Sequence, residues 1–270
     1  MAGTLSNKVI WLTGASSGIG EAVAYELAKK GAKLILSARR KEELERVKGN
    51  CYPKSQPHIR LLPLDMSEPS TLPVIVEAAI QIFGHIDVLI NNAGIAQRSL
   101  AKETVLDVDR RIMEVDYFGT IALTKYLLPH FLKRKSGHFV TVSSVMGKFG
   151  TPYRSGYAAA KHALHGFFDS LRAEVWKENK GIQVTLICPG WIRTNITINA
   201  LTGSGERLNQ MDPTTARGLT PDAFAKRMVR AIEKKKEEVY IGGSKELFAI
   251  YLKRFMPGLF SRIIRKTKVR

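Results

Sequence analysis

The segment WLTGASSGIG, residues 11–20, connects a hydrophobic run to a helical pattern. The apolar residues at 9–12 predict a short buried strand, and residues 21–30 carry apolar side chains at helical spacing. The glycines therefore lie where a strand turns sharply into a helix. A turn without side chains lets a ligand approach the backbone, and the positive end of a helix attracts a phosphate group. This segment predicts a phosphate-binding turn.

The spacing of the three glycines gives each one a separate role. Gly14 permits the tight turn, Gly18 lets the start of the helix approach a diphosphate, and Gly20 lets the helix pack closely on the sheet. Taken alone, the motif is also compatible with a plain tight turn, because glycine-rich turns are common.

Strand-like and helix-like patterns alternate along most of the chain, which predicts a parallel sheet covered by helices on both faces. With right-handed crossovers, this gives an α/β, doubly wound Rossmann fold in a single domain, residues 1–270. The segment 190–220 has no clean periodicity and is predicted to be a substrate lid. Strands are predicted at 8–13, 33–37, 58–62, 86–90, 138–143, 182–188 and 238–241, and helices at 18–30, 41–48, 69–83, 104–134, 156–178 and 221–234.

The composition of the 270 residues, 44% hydrophobic and 24% charged, is typical of a globular protein. Only two cysteines, Cys51 and Cys188, are present, which argues against a disulfide framework or a metal site. No window is apolar enough for a transmembrane helix, and the short polar stretch 1–7 does not resemble a signal peptide or an anchor. A cytoplasmic location is expected.

The net charge of +18 is unusual and is concentrated in part at the end of the chain. Residues 251–270 contain seven Lys and Arg and no acidic residue. Such a charge is compatible with a solvated surface, an anionic membrane, a nucleic acid or an anionic cofactor. Because the chain lacks a nucleic-acid recognition motif, no nucleic-acid partner is expected.

Polar or glycine-rich residues follow four of the predicted strands. In a parallel sheet these strand ends meet at one edge, where ligands bind. The second strand is followed by Arg39 and Arg40 rather than by the acid that usually binds the ribose of NAD, and arginine suits a 2′-phosphate. We therefore expect NADP(H), although two solvated arginines would look the same. The clusters are Thr13-Gly14, Asn91-Asn92-Ala93-Gly94, Ser143-Ser144 and Pro189-Gly190.

Tyr157 and Lys161 are four residues apart on the predicted helix after the fifth strand, and Ser144 ends that strand. Interconversion of a carbonyl and an alcohol needs a proton donor or acceptor at the oxygen. A tyrosine serves if an adjacent ammonium stabilises its phenolate, and a serine hydroxyl can hold the substrate oxygen. A Tyr and a Lys at this spacing also form common surface pairs, so the combination with the glycine turn is what favours catalysis.

Over nearly its full length the sequence resembles the short-chain dehydrogenases/reductases, and it is most similar to their membrane-associated, lipid- and steroid-handling members. The motifs that carry the resemblance occur in the expected order: TGASSGIG at 13–20, NNAG at 91–94, Ser144, YAAAK at 157–161, and Pro189-Gly190 followed by Thr194.

The resemblance implies a catalytic tyrosine at Tyr157, a lysine at Lys161 that assists it and binds the nicotinamide ribose, and a serine at Ser144 that orients the carbonyl. It also places Asp65 at the adenine and Thr194 near the nicotinamide carboxamide. Asn91 matches an asparagine that lines the cofactor pocket and stabilises the strand. A dimer or tetramer is expected. The full predicted cofactor set is Gly14, Ser16, Ser17, Gly18, Ile19, Gly20, Arg39, Arg40, Asp65, Asn91, Ala93, Gly94, Tyr157, Lys161, Pro189, Gly190, Ile192 and Thr194.

One residue departs from the family pattern. Asp116 stands where many members have an asparagine that supports a proton relay to the lysine. An aspartate keeps the backbone role of that asparagine and its charge can strengthen the lysine ammonium, or it can draw Lys161 away from the ribose. Asp116 is therefore included among the predicted catalytic residues, and an asparagine in its place is expected to retain or raise turnover.

Apolar residues in the predicted lid, together with three beside Ser144, suggest a hydrophobic pocket. A ketone or aldehyde on a lipid, steroid or retinoid skeleton would fit it, while packing of the lid on the body is the alternative explanation. The sequence thus favours an NADP(H)-dependent oxidoreductase; the competing prediction is a regulatory protein that binds the cofactor without turnover. The apolar residues are Trp191, Ile192, Ile196, Ile198 and Leu201, with Val145, Met146 and Phe149.

The segment 244–270 repeats apolar residues at helical spacing on both sides of Pro257-Gly258, with basic residues beside them. A proline breaks a helix, so two short amphipathic pieces are predicted. An apolar face flanked by cations suits peripheral contact with an intracellular membrane. Packing on the core or across a dimer interface is equally compatible with the pattern.

Overall fold

Seven parallel strands form the centre of the fold, as the alternating pattern predicts. The computed structural model describes residues 5–178 and 180–267. The strands are β1 (Val9–Thr13), β2 (Lys33–Ser37), β3 (Ile59–Leu61), β4 (Val88–Asn91), β5 (Gly137–Val142), β6 (Ile182–Pro189) and β7 (Glu238–Ile241).

The strand order is β3-β2-β1-β4-β5-β6-β7, and every neighbouring pair is parallel. The chain reverses its direction of winding between β1 and β4, so the carboxyl ends of these two strands flank a crevice. In register, Ile10 lies beside Val88 and Leu12 beside Ile90. Ligands of doubly wound sheets bind at this switch point.

Helices cover both faces of the sheet. They are α1 (Gly18–Lys29), α2 (Lys41–Asn50), α3 (Leu72–Phe83), α4 (Leu106–Met113), α5 (Gly119–Arg134), α6 (Ser155–Glu178), α7 (Pro213–Ala216), α8 (Pro221–Glu233), α9 (Ser244–Phe255) and α10 (Pro257–Lys266).

Each face of the sheet has its own hydrophobic core. Along β1, Ile10 and Leu12 pack into the core beneath α1 and α8, whereas Val9 and Trp11 pack into the core beneath α3, α5 and α6. Side chains of a strand alternate between faces, so a strand buried on both sides reads as a continuous apolar run. That is why the run before the glycine turn predicts a central strand.

The helix predicted over 104–134 is observed from 106 to 134, but it is not α-helical throughout. The structure has two α-helices, α4 and α5, separated by one π-helical turn, Glu114–Phe118. A π turn inserts one extra residue per hydrogen-bonded ring and leaves the hydrophobic period almost unchanged, so the periodicity gives no sign of it. The helix predicted from 69 begins at Leu72, after the 3₁₀ turn Pro69–Thr71, and Pro73 fits in the first turn of that helix.

The segment 190–220 is mostly irregular and contains the short helix α7. An isolated bridge between Gln97 and Leu201 holds the middle of the segment against the body, and a second bridge, between Ile192 and Leu219, joins its two ends to each other. After β7, α9 and α10 pack on the loop that follows β5. Lys268 and Arg270, two of the basic residues noted in the sequence, lie outside the described residues.

Within the described part of the chain, no helix combines the length and the apolar character that a membrane-spanning segment needs.

The position of Gly20 in α1 makes a sharp test of the turn geometry. A Cβ at Gly20 would overlap the carbonyl oxygen of Gly14 and lie 2.6 Å from Nδ2 of Asn92. We expect Gly20→Ala to lower the free energy of unfolding by about 2 kcal/mol or more, because the backbone cannot move aside without opening the turn. Urea denaturation measures the change.

Gly166→Ala is the matched control for that substitution. Gly166 lies in the exposed part of α6 and a Cβ there meets nothing within 4 Å. Alanine should stabilise this helix by roughly 0.5–1 kcal/mol. Equal effects of the two alanines would contradict the packing assigned to Gly20.

Candidate active site

A cavity at the carboxyl edge of the sheet is lined by residues from several distant parts of the chain. Its walls include Ser144 after β5, Tyr157 and Lys161 from α6, Asp116 from the π turn, and Trp191 after β6. The glycine turn after β1 also contributes to the lining. The strand ends that the sequence predicts to converge therefore do so around one space.

A second cavity adjoins the first along the residues that follow β1 and β4. Gly14, Ala93 and Gly94 line both spaces. The second cavity is more polar and is bordered by Arg39, Arg40, Asp65 and Ser16. Both arginine side chains are exposed, so their charges are available to an anion at this end of the site.

Hydrogen bonds from the residues after β4 hold the glycine turn in place. Asn92 donates its side-chain amide to the carbonyl oxygens of Thr13 and Gly14, at 3.0 and 3.2 Å. The hydroxyl of Thr13 accepts the backbone N–H groups of Asn92 and Ala93 at 3.0 and 3.1 Å. The turn after β1 is thus fixed to the turn after β4.

The turn fits the diphosphate of a dinucleotide. Gly14 and Gly18 have φ of 63° and 59°, which favours glycine at both positions. A Cβ on Gly14 would lie 2.8 Å from Cα of Ala93, so side chains are excluded there. Ser17 begins α1 without a side-chain hydrogen bond to the first backbone N–H groups of the helix, and those groups suit a phosphate.

The two asparagines after β4 point in different directions. Asn91 is buried and donates to the hydroxyls of Thr124 and Thr141, at 3.0 and 3.4 Å, which ties β4 to α5 and β5. Asn92 instead lines the first cavity. Sequence reasoning selected Asn91 and omitted Asn92, although the alternation of side chains along a strand indicates that only one of two adjacent residues faces a given side.

Tyr157 and Lys161 lie on the same face of α6, as their spacing predicts. The Lys161 Nζ is 5.5 Å from the centre of the Tyr157 ring. Lys161 is buried, and its Nζ also donates to the carbonyl oxygen of Val142 at 3.3 Å. The ammonium is thus held between the end of β5 and the half-buried phenol ring.

Asp116 supplies the negative charge that this buried ammonium needs. Its Oδ2 lies 3.1 Å from Lys161 Nζ, and its Oδ1 accepts the backbone N–H of Ile95 at 2.7 Å. The carboxyl group is fully buried, and the π turn that carries it directs it into the site. Gly94 makes room for the pair, because a Cβ there would lie 3.2 Å from Oδ2 and 3.3 Å from Nζ.

Burial and pairing act on both groups of this ion pair. Burial raises the pKa of the Asp116 carboxyl above its ordinary value, against the opposing effect of the Lys161 ammonium. Burial alone would lower the pKa of Lys161, but the charges of Asp116 and Tyr157 outweigh it and raise that pKa. Lys161 is therefore a cation at neutral pH.

The Ser144 hydroxyl is oriented by the turn in which it lies. Its Oγ accepts the backbone N–H of Met146 at 3.1 Å and caps the short 3₁₀ turn Val145–Gly147. A hydroxyl that accepts one hydrogen bond still has its own proton to donate. Ser144 can thus direct that proton to an oxygen in the cavity.

Sequence reasoning missed Arg154, which lines the first cavity and is buried. Its guanidinium carbon lies 4.8 Å from the centre of the Trp191 ring, and Asp212 is 3.4 Å from its Nη2. Burial and the neighbouring charge of Arg98 lower the pKa of Arg154 to about 10, while Asp212 opposes the shift. No motif marks this residue, because its partners come from distant parts of the chain.

The predicted cofactor residues divide between the two cavities and their surroundings. Ser17, Ile19, Tyr157, Lys161, Pro189, Gly190 and Ile192 line the first, Ser16, Arg39, Arg40 and Asp65 line the second, and Gly14, Ala93 and Gly94 line both. Gly18, Gly20, Asn91 and Thr194 line neither cavity, and a Cβ on Gly18 would lie 3.2 Å from the Thr194 side chain.

Only some of the apolar residues predicted for the substrate pocket line the first cavity. Val145, Met146, Trp191, Ile192 and Ile196 line the first cavity. Leu201 borders the second, and Phe149 lines a separate cavity beside α9.

Comparison with known proteins agrees with this architecture. Residues 8–204 match the family model described as short chain dehydrogenase. The chain is 44% identical over 274 aligned residues to a dehydrogenase/reductase SDR family protein 7-like from Drosophila melanogaster, covering 98% of this chain and 82% of that relative. It is 42% identical to dehydrogenase/reductase SDR family member 7 from Homo sapiens, covering 94% of this chain and 75% of that relative.

Solved structures share the fold. A short-chain dehydrogenase/reductase from Burkholderia phymatum in complex with NAD superposes with a TM-score of 0.82 at 22% identity and covers 94% of this chain and 95% of its own. An alcohol dehydrogenase from Thermococcus sibiricus complexed with 5-hydroxy-NADP has a TM-score of 0.74 at 25% identity, covering 88% and 97%. With this fold, the glycine turn and the family match over residues 8–204, the chain belongs to the short-chain dehydrogenase family of oxidoreductases.

Proposed function

We propose that this oxidoreductase interconverts a carbonyl and an alcohol on a hydrophobic substrate with NADP(H), using Ser144, Tyr157 and Lys161. The observation that supports the proposal most strongly is the buried Lys161 ammonium 5.5 Å from the Tyr157 ring, in a cavity that adjoins the glycine turn. The chain's own groups can then manage one proton at the oxygen that changes oxidation state.

When bound, the nicotinamide cofactor supplies or accepts the hydride. Tyr157 would give its phenolic proton to the carbonyl oxygen in reduction and take it back in oxidation. Ser144 would donate its hydroxyl proton to the same oxygen, since its own Oγ already accepts the N–H of Met146. Lys161 favours the phenolate that remains, because its charge lies over the ring.

Asp116 would act through Lys161 as a positioning residue. The carboxylate keeps the buried lysine charged and fixes its Nζ opposite Tyr157. Of the roles open to this residue from the sequence, the ion pair supports the strengthening of the ammonium.

The preference for NADP(H) over NAD rests on the arginines that border the second cavity. Arg39 and Arg40 offer two exposed guanidinium groups, which bind phosphate by charge and by paired hydrogen bonds. Asp65 borders the same cavity, where it would contact the adenine.

The hydrophobic substrate class rests on the apolar wall of the first cavity. Val145, Met146, Ile192 and Ile196 surround the space beside Ser144 and Tyr157. A carbonyl on a lipid-, steroid- or retinoid-like skeleton would bury its apolar body there. We also propose a homo-oligomer, since α4 to α6 and the turns beside them leave large apolar side chains such as Leu106, Phe118 and Trp176 exposed.

Tyr157→Phe tests the proposed proton donor. With a panel of hydrophobic ketones and aldehydes, we expect the rate of NADPH oxidation to fall roughly 10²–10⁴-fold, because phenylalanine has no proton to transfer. NADPH binding, followed by nicotinamide fluorescence, should persist. Tyr126→Phe, at an exposed position of α5, is the control and should leave the rate unchanged.

A steady rate in Tyr157→Phe would contradict the proposal. Binding of NADPH by the native chain without consumption of any carbonyl compound would instead favour the regulatory alternative.

Replacing both arginines tests the cofactor preference. We expect Arg39→Gln together with Arg40→Gln to weaken NADPH binding by about 1.5–3 kcal/mol, roughly 10- to 150-fold, and to leave NADH binding nearly unchanged, since only NADPH carries the 2′-phosphate. Fluorescence titration measures both affinities, and Arg230→Gln, at an exposed position of α8, is the control. Parallel losses for the two cofactors would show that the arginines do not read the phosphate.

Asp116→Asn tests the ion pair. Because Asp116 raises the pKa of Lys161, the neutral amide should let that pKa fall, and the basic limb of the rate–pH profile should move to lower pH. Turnover at neutral pH should be retained or raised, since the amide keeps the backbone position. A basic limb that stayed in place would show that protonation of Lys161 does not control the rate. A large loss of turnover at neutral pH would show that the Asp116 carboxylate itself is required.

A further inference from the structure

The outer face of α9 and α10 is unusually apolar. Seven of the fifteen large hydrophobic side chains that are exposed in the described residues lie within 247–263, on two helices that pack against each other, rather than scattered over the surface. We call this patch the C-terminal face; it consists of Leu247, Phe248, Tyr251, Phe255, Met256, Leu259 and Ile263.

The C-terminal face is not needed to attach the two helices to the body. Other residues do that: Leu252 of α9 and Phe260 of α10 are buried, and Phe260 packs on Phe149 with ring centres 5.4 Å apart. On the outside, Phe248 and Phe255 are 64% and 74% exposed. The amphipathic pattern thus has two apolar sides, and packing on the core accounts for only one of them.

The charges around the C-terminal face are of one sign. Six exposed cations lie in the described part of the segment, and none forms an ion pair with a described residue: Lys245, Lys253, Arg254, Arg262, Arg265 and Lys266. The only acid there, Glu246, turns inward and accepts the backbone N–H of Trp191 at 3.4 Å.

A cavity runs beneath α9 and α10 towards the site. Ala249 and Ile264 from the two helices line it, together with Phe149. Arg154 and Trp191 line both this cavity and the catalytic one, so these two side chains form a shared wall. The inner sides of α9 and α10, opposite the C-terminal face, thus border a space that shares the Arg154 and Trp191 wall with the catalytic cavity.

We propose that the C-terminal face docks on the surface of an anionic lipid bilayer, so that the cavity beneath α9 and α10 receives its apolar substrate from the membrane. Aromatic side chains would enter the boundary between headgroups and acyl chains, while the surrounding cations bind anionic headgroups. The docking stands on the face alone; the delivery of substrate rests on the proposed function.

The charge pattern favours a bilayer over the other occupants. A second copy of the chain in a symmetric contact would bring the same unpaired cations together, which repels. A nucleic acid would satisfy the cations but leave the aliphatic side chains Leu259 and Ile263 without an apolar partner. A bilayer with acidic lipids offers headgroups to the cations and acyl chains to the apolar side chains.

Flotation of the full chain with vesicles tests the docking. The native chain should bind vesicles of phosphatidylcholine and phosphatidylserine, bind those of phosphatidylcholine alone more weakly, and release as salt is raised. Phe248→Ser with Phe255→Ser should lower the partition coefficient roughly a hundredfold, because two exposed aromatics lose their apolar partner. Tyr52→Ser in the loop after α2, where Tyr52 is 50% exposed, is the control and should bind like the native chain.

A second variant separates charge from apolar contact. Arg254→Gln with Arg262→Gln should lower binding to the anionic vesicles about tenfold or more and make that binding less dependent on salt. The oligomeric state of each variant is measured by light scattering. Failure of the native chain to bind anionic vesicles, equal binding by the Phe248/Phe255 variant, or a loss of oligomers in that variant would overturn the docking.

Rates with two ketones test the delivery. The Phe248/Phe255 variant should reduce a long-chain ketone held in vesicles at least several-fold more slowly than the native chain, yet reduce a water-soluble ketone at the native rate. Equal rates on both ketones would overturn the delivery while leaving the docking intact. Absence of activity in the native chain would count against the proposed function alone, since vesicle binding needs no turnover.

Discussion

A positive charge buried at the carboxyl edge of the sheet sets the main constraint on this molecule. Lys161 has 5% of its surface exposed, and a buried ammonium without a partner would lose its proton or destabilise the fold. The Asp116 carboxylate, with its Oδ2 3.1 Å from the Lys161 Nζ, supplies the partner that the ammonium needs. Deleting one partner of such a pair typically costs about 3–5 kcal/mol, whereas an asparagine at 116 would keep an oxygen that can accept a hydrogen bond from the ammonium.

Several features that look unrelated serve this pair. The π turn Glu114–Phe118 places Asp116 in the site, Gly94 leaves room for its oxygens, and β5 offers the carbonyl of Val142 to Lys161. The turn after β4 also holds the glycine turn after β1, through hydrogen bonds between Asn92 and Thr13. The glycine turn and the Asp116–Lys161 pair thus lie along one edge of the sheet, which is where the proposed function requires the cofactor and the Tyr157 phenol to meet.

Sequence periodicity was sufficient for the sheet and insufficient for the details of the site. All seven strands were predicted within about two residues of their observed ends, because buried parallel strands are continuous apolar runs bounded by turns. The π turn was invisible, since it hardly changes the spacing of apolar residues. Motif order selected Ser144, Tyr157 and Lys161, and the departure at Asp116 raised its pairing with Lys161. Asn92 and Arg154 were missed, because their positions depend on which way side chains point and on contacts between distant segments.

The most direct test of the central claim is the protonation of Lys161 itself. Nitrogen-15 NMR of the lysine Nζ, titrated in the native chain and assigned with Lys161→Arg, reports that group without reference to any substrate. We expect a pKa above the ordinary value for lysine, because Asp116 and Tyr157 outweigh the effect of burial. A pKa below the ordinary value, as burial alone would give, would contradict it.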